Sequence, residues 1–327
     1  MLKELLKEFK SIDVDQMRLP GFLQKREDEI KVCVDNVTNG KGLKNIDKCP
    51  LCGETKREFI FARFGINAVK CSGCGTGYME KFPVDSGDVY RNDDYTPIAK
   101  SDYLDNVKYR QERFGKERIE ILQKYLKKES KESRLLDVGC GTGWFLDLAQ
   151  QYGFRVAGQE FSTELSRFTA ERLGIQVWSD PITEIPVNEK FDAITLFDVI
   201  EHVPNPVAVI ESIKEHLNKD GIALFFTPNL DSLGFWKLKE RSSLVMPVEH
   251  LFYFTEKSLR MVFEKVGLEV EYFAAKGMDV PDLFSHYRDD LKNEAVADFL
   301  KENSDVLQAI IDASGKANHL RFIVRKK

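Results

Sequence analysis

Ten residues, Arg134-Leu-Leu-Asp-Val-Gly-Cys-Gly-Thr-Gly143, constrain the fold of this chain more than any other segment. Leu135, Leu136 and Val138 form a short apolar run, which reads as a buried strand. Gly139, Gly141 and Gly143 then permit a tight turn and let backbone N–H groups approach a ligand closely. The spacing is Gly-x-Gly-x-Gly with Trp144 next, whereas a dinucleotide fingerprint needs Gly-x-Gly-x-x-Gly, so NAD binding is disfavoured. Asp137, just before the turn, points the same way. Its charge repels a pyrophosphate and tolerates a cationic ligand such as a sulfonium.

Strands and helices alternate after this segment. Strands are predicted at 135–138, 155–158, 176–178, 193–197 and 223–227, with helices at 144–152, 163–173 and 206–217 between them. That βαβ rhythm means a parallel sheet covered on both faces. Two further strands, 268–273 and 319–324, flank a polar helical stretch over 281–314. About 20 residues past the glycine loop, a dinucleotide-type site places an acidic residue against ribose hydroxyls. Glu160 occupies that place, at the end of the second strand.

These residues resemble motif I and the acidic post-strand position of class I S-adenosylmethionine (SAM) methyltransferases. The fold expected is therefore α/β, a Rossmann-like seven-stranded sheet whose last two strands finish it antiparallel. The resemblance implies that Asp137, Gly139, Cys140, Gly141, Gly143 and Glu160 bind SAM, with Phe161 and Phe197 beside it. Asp180 matches a position that holds the adenine amino group and equally reads as a turn carboxylate before Pro181. Trp178 reads as well as plain core. Cys140 reads as a small packed residue rather than a nucleophile.

The segment Thr195-Leu-Phe-Asp-Val-Ile-Glu-His-Val-Pro-Asn-Pro206 closely resembles the post-strand region of ubiquinone-pathway O-methyltransferases, as does Thr227-Pro-Asn229. The Asn/Asp-Pro-Pro-aromatic tetrad of amino-directed DNA methyltransferases and the Pro-Cys of cytosine C5 enzymes are absent from it. A hydroxyl or carbon acceptor must lose a proton, and histidine suits that at neutral pH. Of His202, His216, His250, His286 and His319, the two that border the carboxyl ends of the strands are His202 and His250. Glu201 either orients His202 or, with Asp198 and His202 on one helical face, offers metal ligands. His216, at a helix end, reads as structural.

Six cysteines are present, and four form Cys49-Pro-Leu-Cys52 and Cys71-Ser-Gly-Cys74, separated by 18 residues. This is the four-cysteine zinc pattern, and four thiolates close a tetrahedral site, so the zinc expected is structural. A zinc ribbon, a Tyr-bearing linker and this core together resemble a bacterial family of deoxysugar C-methyltransferases and enzymes of surface-polysaccharide clusters. Boundaries are expected at 1–46 (an opening amphipathic helix carrying Leu2, Leu5, Leu6, Phe9 and Ile12), 47–83 (ribbon), 84–130 (linker with Tyr90, Tyr95 and Tyr103, then a helix over 107–128) and 131–327 (methyltransferase domain).

Composition narrows the partners. At 327 residues there is room for a main domain and a smaller one, and 43% hydrophobic with 31% charged residues fits a soluble globular protein. A net charge of −5 weighs against a nucleic-acid binder, and the ribbon carries six Lys/Arg against four Asp/Glu, a weak phosphate clamp. No apolar run approaches the ~18 residues of a membrane span, and the charged first ten residues are unlike a secretory signal, so a cytoplasmic location is expected. The acceptor expected is a small molecule, a sugar or nucleotide-linked sugar hydroxyl or carbon. The alternatives are an RNA-modifying enzyme that grips nucleic acid through its ribbon, and a scaffold without catalysis. The intact loop, Glu160 and His202 oppose the latter.

Overall fold

The computed structural model describes residues 20–89 and 107–327, together with Leu6, Phe9, Ser11, Asp13 and Val14. Leu2, Leu5 and Ile12 of the expected opening helix, and the linker residues Tyr90, Tyr95 and Tyr103, lie outside the described residues. The chain forms two compact units, each assembled from separated segments. The first comprises Met1–Asp85, Thr227–Leu259 and Ala274–Arg321, and the second Ser86–Phe226, Arg260–Phe273 and Phe322–Lys327.

The first element with described bounds is α1 (Phe22–Asn39), followed by β1 (Leu43–Asn45), β2 (Arg57–Arg63), β3 (Ile66–Cys71), β4 (Gly77–Met79) and β5 (Lys81–Pro83). A π-helical turn, Gln111–Gly115, leads into α2 (Lys116–Tyr125). It stops short of the predicted end because Leu126 is already extended. Then come β6 (Arg134–Val138), α3 (Trp144–Gln151), β7 (Arg155–Gln159), α4 (Thr163–Leu173), β8 (Val177–Trp178), β9 (Phe191–Phe197), α5 (Pro206–His216) and β10 (Leu217–Pro228). Next are α6 (Leu233–Leu238), β11 (Phe252–Tyr253), α7 (Glu256–Val266) and β12 (Leu268–Ala275). The helices α8 (Asp279–Ser285), α9 (Glu294–Glu302) and α10 (Ser304–Ala313) precede β13 (His319–Lys326).

The seven-stranded sheet of the second unit has the order β12-β13-β10-β9-β6-β7-β8. Strand β6 is parallel to both neighbours, with Leu136 opposite Ala157 on one side and Ile194 on the other. It is buried on both faces, as a helix-covered parallel strand must be. Leu135, Phe145, Leu146, Ala193, Leu224 and Ile323 join Ile119 and Leu122 of α2 in its core. Helix starts follow local chemistry. Ser162 Oγ accepts from Leu165 N at α4, and Asn205 Oδ1 accepts from Ala208 N at α5, where Pro206 occupies the first turn. Strand β10 begins six residues before its predicted start, and its pairing with β9 is irregular between Leu217 and Ile222.

In the first unit a four-stranded sheet runs β11-β4-β3-β2. Strand β11 contributes only the pairs Phe252–Tyr78 and Tyr253–Gly77. Two residues of ladder hold little by themselves. The aromatic contacts Phe61–Tyr253, Phe235–Tyr253 and Phe82–Phe252, with centroids 6.0, 5.4 and 5.4 Å apart, bury both side chains completely. Each such pair is worth about 0.5–1.5 kcal/mol beyond area burial. On α8, the buried Asp279 carboxylate accepts from Gly234 N, Asn318 N and Gln308 Nε2, which ties α6, α10 and the start of β13 together.

Candidate active site and metal centre

The turn after β6 runs through three positive-φ glycines, Gly139, Gly141 and Gly143, as the sequence requires. A Cβ at Gly139 would stand 2.5 Å from Val199 Cγ2, and one at Gly143 2.5 Å from Thr169 Cγ2. The loop is held from beneath. Gly139 N and Cys140 N both donate to Gln159 O, Thr169 Oγ1 donates to Gly141 O, and Arg172 Nη2 donates to Thr142 O. Cys140 is buried and its sulfur packs where Gly158 lacks a side chain, with the thiol pushed well up by burial. It is a packing residue.

Glu160 closes the loop. Its Oε2 accepts from Gly141 N (2.9 Å) and its Oε1 from Ser162 N (2.8 Å). Burial raises its pKa, and these backbone donors offset part of the rise. A carboxylate has about four acceptor sites, so each oxygen keeps capacity for a further donor such as a hydroxyl. The sequence reading aimed the Gly141 N–H at a ligand. The structure gives it to Glu160, because a buried carboxylate needs donors.

Asp137 is buried under the turn and accepts from Thr195 Oγ1 at 2.6 Å. Burial pushes its carboxyl up to about 7, against the Thr195 bond and the nearby charge of Arg118. Arg118, on α2, was not singled out in the sequence. Its guanidinium lies 3.8 Å from the Phe197 ring centroid, 5.0 Å from Trp144 and 5.2 Å from Phe226. A cation in an aromatic box leaves no periodic signal, so only the fold reveals it. Phe197 itself packs edge-on against Phe145 and Phe226. Phe161 is half-buried, and Asp180 is exposed on the turn after β8.

Three histidines have partners that mark them as structural. His216 Nδ1 meets Ser212 O (2.7 Å), His286 Nδ1 meets Asp290 Oδ2 (2.9 Å), and His319 Nδ1 meets Asn318 Oδ1 (2.9 Å). Segment 198–202 is a turn rather than the helix whose spacing would align Asp198, Glu201 and His202. Asp198 has φ +58°, and His202 N bonds Val199 O. Glu201 is fully buried there and His202 half-buried. In the first unit, His250 is buried, and its Nδ1 lies 2.8 Å from Leu244 O. A carbonyl can only accept, so Nδ1 carries a proton.

The ligand sulfurs of Cys49, Cys52, Cys71 and Cys74 all lie within 4.8 Å of one another. Cys49 and Cys74 are 3.6 Å apart, and Cys52 and Cys71 3.5 Å. Four thiolates at about 2.3 Å from a common centre demand spacings of this order. Gly53 and Gly75, both at φ +79°, turn the backbone after each pair, with Gly53 N bonded to Cys49 O and Gly75 N to Cys71 O. The hydrogen bond with the Cys74 thiol draws the Cys49 pKa down against the opposing effect of burial, so one thiolate forms readily. The donor set fits a closed four-sulfur metal centre.

Residues 107–272, just over half of the chain, match the methyltransferase domain family. This chain belongs to that family. Among relatives of the chain is the ubiquinone biosynthesis O-methyltransferase of Actinobacillus pleuropneumoniae serotype 7, 36% identical over 107 residues, which cover 29% of this chain and 46% of that protein. The corresponding enzyme of Pasteurella multocida is 31% identical over 121 residues, covering 32% and 50%. The chain spans about half the length of these curated relatives. Among solved structures, the O-methyltransferase of a Brevibacillus brevis trans-AT PKS multienzyme, in complex with S-adenosyl-L-homocysteine, gives a TM-score of 0.44 at 16% identity, covering 69% of this chain and 78% of that one.

The Asp137 carboxyl yields a test. Its folded value of about 7 exceeds the ~3.9 of an unfolded chain, so the native state binds the extra proton. Its stabilising contribution is complete below pH ~4 and lost as pH rises through about 7. Asp137→Asn removes this dependence. Urea titrations should show the variant gaining on wild type by roughly 1–3 kcal/mol between pH ~5 and ~7.5. A gap independent of pH would refute the buried titration.

Proposed function

We propose that this methyltransferase moves a methyl group from SAM to a small-molecule acceptor, a sugar or nucleotide-linked sugar hydroxyl or carbon. The observation that carries the reading is the glycine turn at the carboxyl end of β6, closed by Glu160 from the end of β7. The names of the relatives, which specify oxygen as the atom methylated, favour a hydroxyl acceptor. Surface-polysaccharide assembly is the setting that the ribbon-plus-core arrangement favours.

SAM supplies an electrophilic methyl group on a sulfonium. The open space beside Gly141 leaves room for it, and Glu160 takes its ribose hydroxyls on the acceptor sites left by Gly141 and Ser162. Asp137 and Arg118 offer opposite charges for the ammonium and carboxylate of its amino-acid end, with Phe161, Phe197, Cys140 and Asp180 around the cofactor. Transfer is an in-line displacement, so alignment supplies much of the rate. His250 accepts the acceptor's proton at Nε2 while Nδ1 stays bonded to Leu244 O. His202, braced by Glu201, is the second base candidate.

Cys49, Cys52, Cys71 and Cys74 hold a structural zinc. Three of the ribbon's six cations are committed elsewhere, Arg57 to Glu80 (2.9 Å), Lys70 to Asp231 (3.4 Å) and Arg63 to Glu27, which weighs against a phosphate clamp. Among the described residues no helix is long and apolar enough to cross a membrane.

Methyl-labelled SAM added to a cell extract should place label in the small-molecule fraction. Label in RNA would overturn the acceptor class. Glu160→Ala should weaken SAM binding at least tenfold in titration calorimetry, and unchanged affinity would sink its ribose role. Cys49→Ser should release the metal and lower the melting temperature of the protein. A variant that retains one zinc per chain would refute the four-sulfur centre.

A further inference from the structure

The loop between α6 and β11 is bound to the cysteine-bearing sheet at both ends. At its start stands Arg63, the last residue of β2, with a side chain only 9% exposed. Its Nη1 donates to the carbonyls of Ser242 (3.2 Å) and Val245, and its Nη2 meets the Glu27 carboxylate on α1. At the loop's end, Met79 N on β4 donates to Leu251 O at 3.0 Å, and the β11 pairs follow directly.

Between these anchors the bonds converge on one peptide. Leu244 lies between the two residues whose carbonyls Arg63 holds. Its neighbour Ser243 donates Oγ to Asp282 Oδ2 on α8 at 3.2 Å. The Leu244 carbonyl is the acceptor for His250 Nδ1. Val248, a β-branched residue at φ +70° and buried, sits two residues before His250. Such backbone persists only where its surroundings over-determine it.

We propose that Arg63 is a positioning residue for proton transfer at His250. By gripping the Ser242 and Val245 carbonyls it fixes the Leu244 carbonyl, which in turn holds His250 in the tautomer that leaves Nε2 as the proton acceptor. The proposal rests on the reading of His250 as a base. A guanidinium suits the task because its planar fork holds the two carbonyls on Nη1 while Nη2 is fixed by the Glu27 carboxylate, whereas an ammonium is a single point charge. The cysteine-bearing sheet thereby acquires a share in the chemistry without touching a substrate.

The test is a two-bond proton–nitrogen correlation spectrum of the full chain labelled with 15N-histidine, at about pH 8 where free imidazole is neutral. Wild type should show His250 as the Nδ1–H form. Arg63→Met and Arg63→Lys should shift its tautomer ratio several-fold towards Nε2–H, with zinc content retained and SAM affinity within twofold of wild type. An unmoved His250 tautomer in Arg63→Lys overturns the proposal. That variant keeps the stem and the charge, so it decides the matter should Arg63→Met fail to fold. His250→Gln tests the underlying reading separately. Retained methyl transfer from labelled SAM removes His250 as the base, whereas lost transfer alongside an unmoved tautomer removes only the Arg63 clamp.

Discussion

Strand β6 is paired on both edges and buried on both faces, so the chain that leaves it can only turn outward, through backbone that side chains cannot follow. Everything at the cofactor end answers to that constraint. The turn is glycine because Val199 and Thr169 occupy the space a Cβ would need. Its amides are satisfied by Gln159 and by Glu160, since buried donors and a buried carboxylate solve each other's desolvation.

Much of this was legible in the sequence. Parallel strands that are buried on both faces announce themselves as apolar runs, and β6, β7, β9 and the helices between them appear where periodicity places them. The glycine turn, Glu160 and the paired cysteines carry spacing signals that need no tertiary context. Other elements carry none. Strand β11 is two residues long, and no period is readable in two residues. Helix α1 fully buries only Ile30 and Val34, and its other apolar residues are scattered among charged ones, too thin a stripe to stand out. Arg118 is a cation surrounded by rings from other elements, a relation that exists only after folding. Only helical spacing would put Asp198, Glu201 and His202 on one face, and the segment is instead a turn that opens on the left-handed Asp198.

The histidines show how position and partner divide the work. Sequence narrowed five to two by their place beside strand ends. The structure gives the other three their own bonding reasons for being where they are. For His250 it adds what no sequence specifies, the nitrogen that bears the proton, through a carbonyl six residues earlier in the same loop. A tautomer is a property of a hydrogen-bond partner, and here the carbonyls of Ser242 and Val245, which flank that partner, are held by Arg63 of a strand formed far earlier in the chain.

The short strand β11 has a further consequence. Its partner β4 is made early during synthesis, but Phe252 and Tyr253 arrive only after the βα units of the larger sheet. Until then the three-stranded β2-β3-β4 sheet has an open edge at β4, with Tyr78 and Phe82 lacking their later aromatic neighbours. An unpaired apolar edge invites pairing with other chains. The four cysteines, which link the turns flanking β2 and β3, are already complete at that stage. A metal bound there would brace the unfinished sheet through the interval, so that its value to the protein is greatest before the fold is finished.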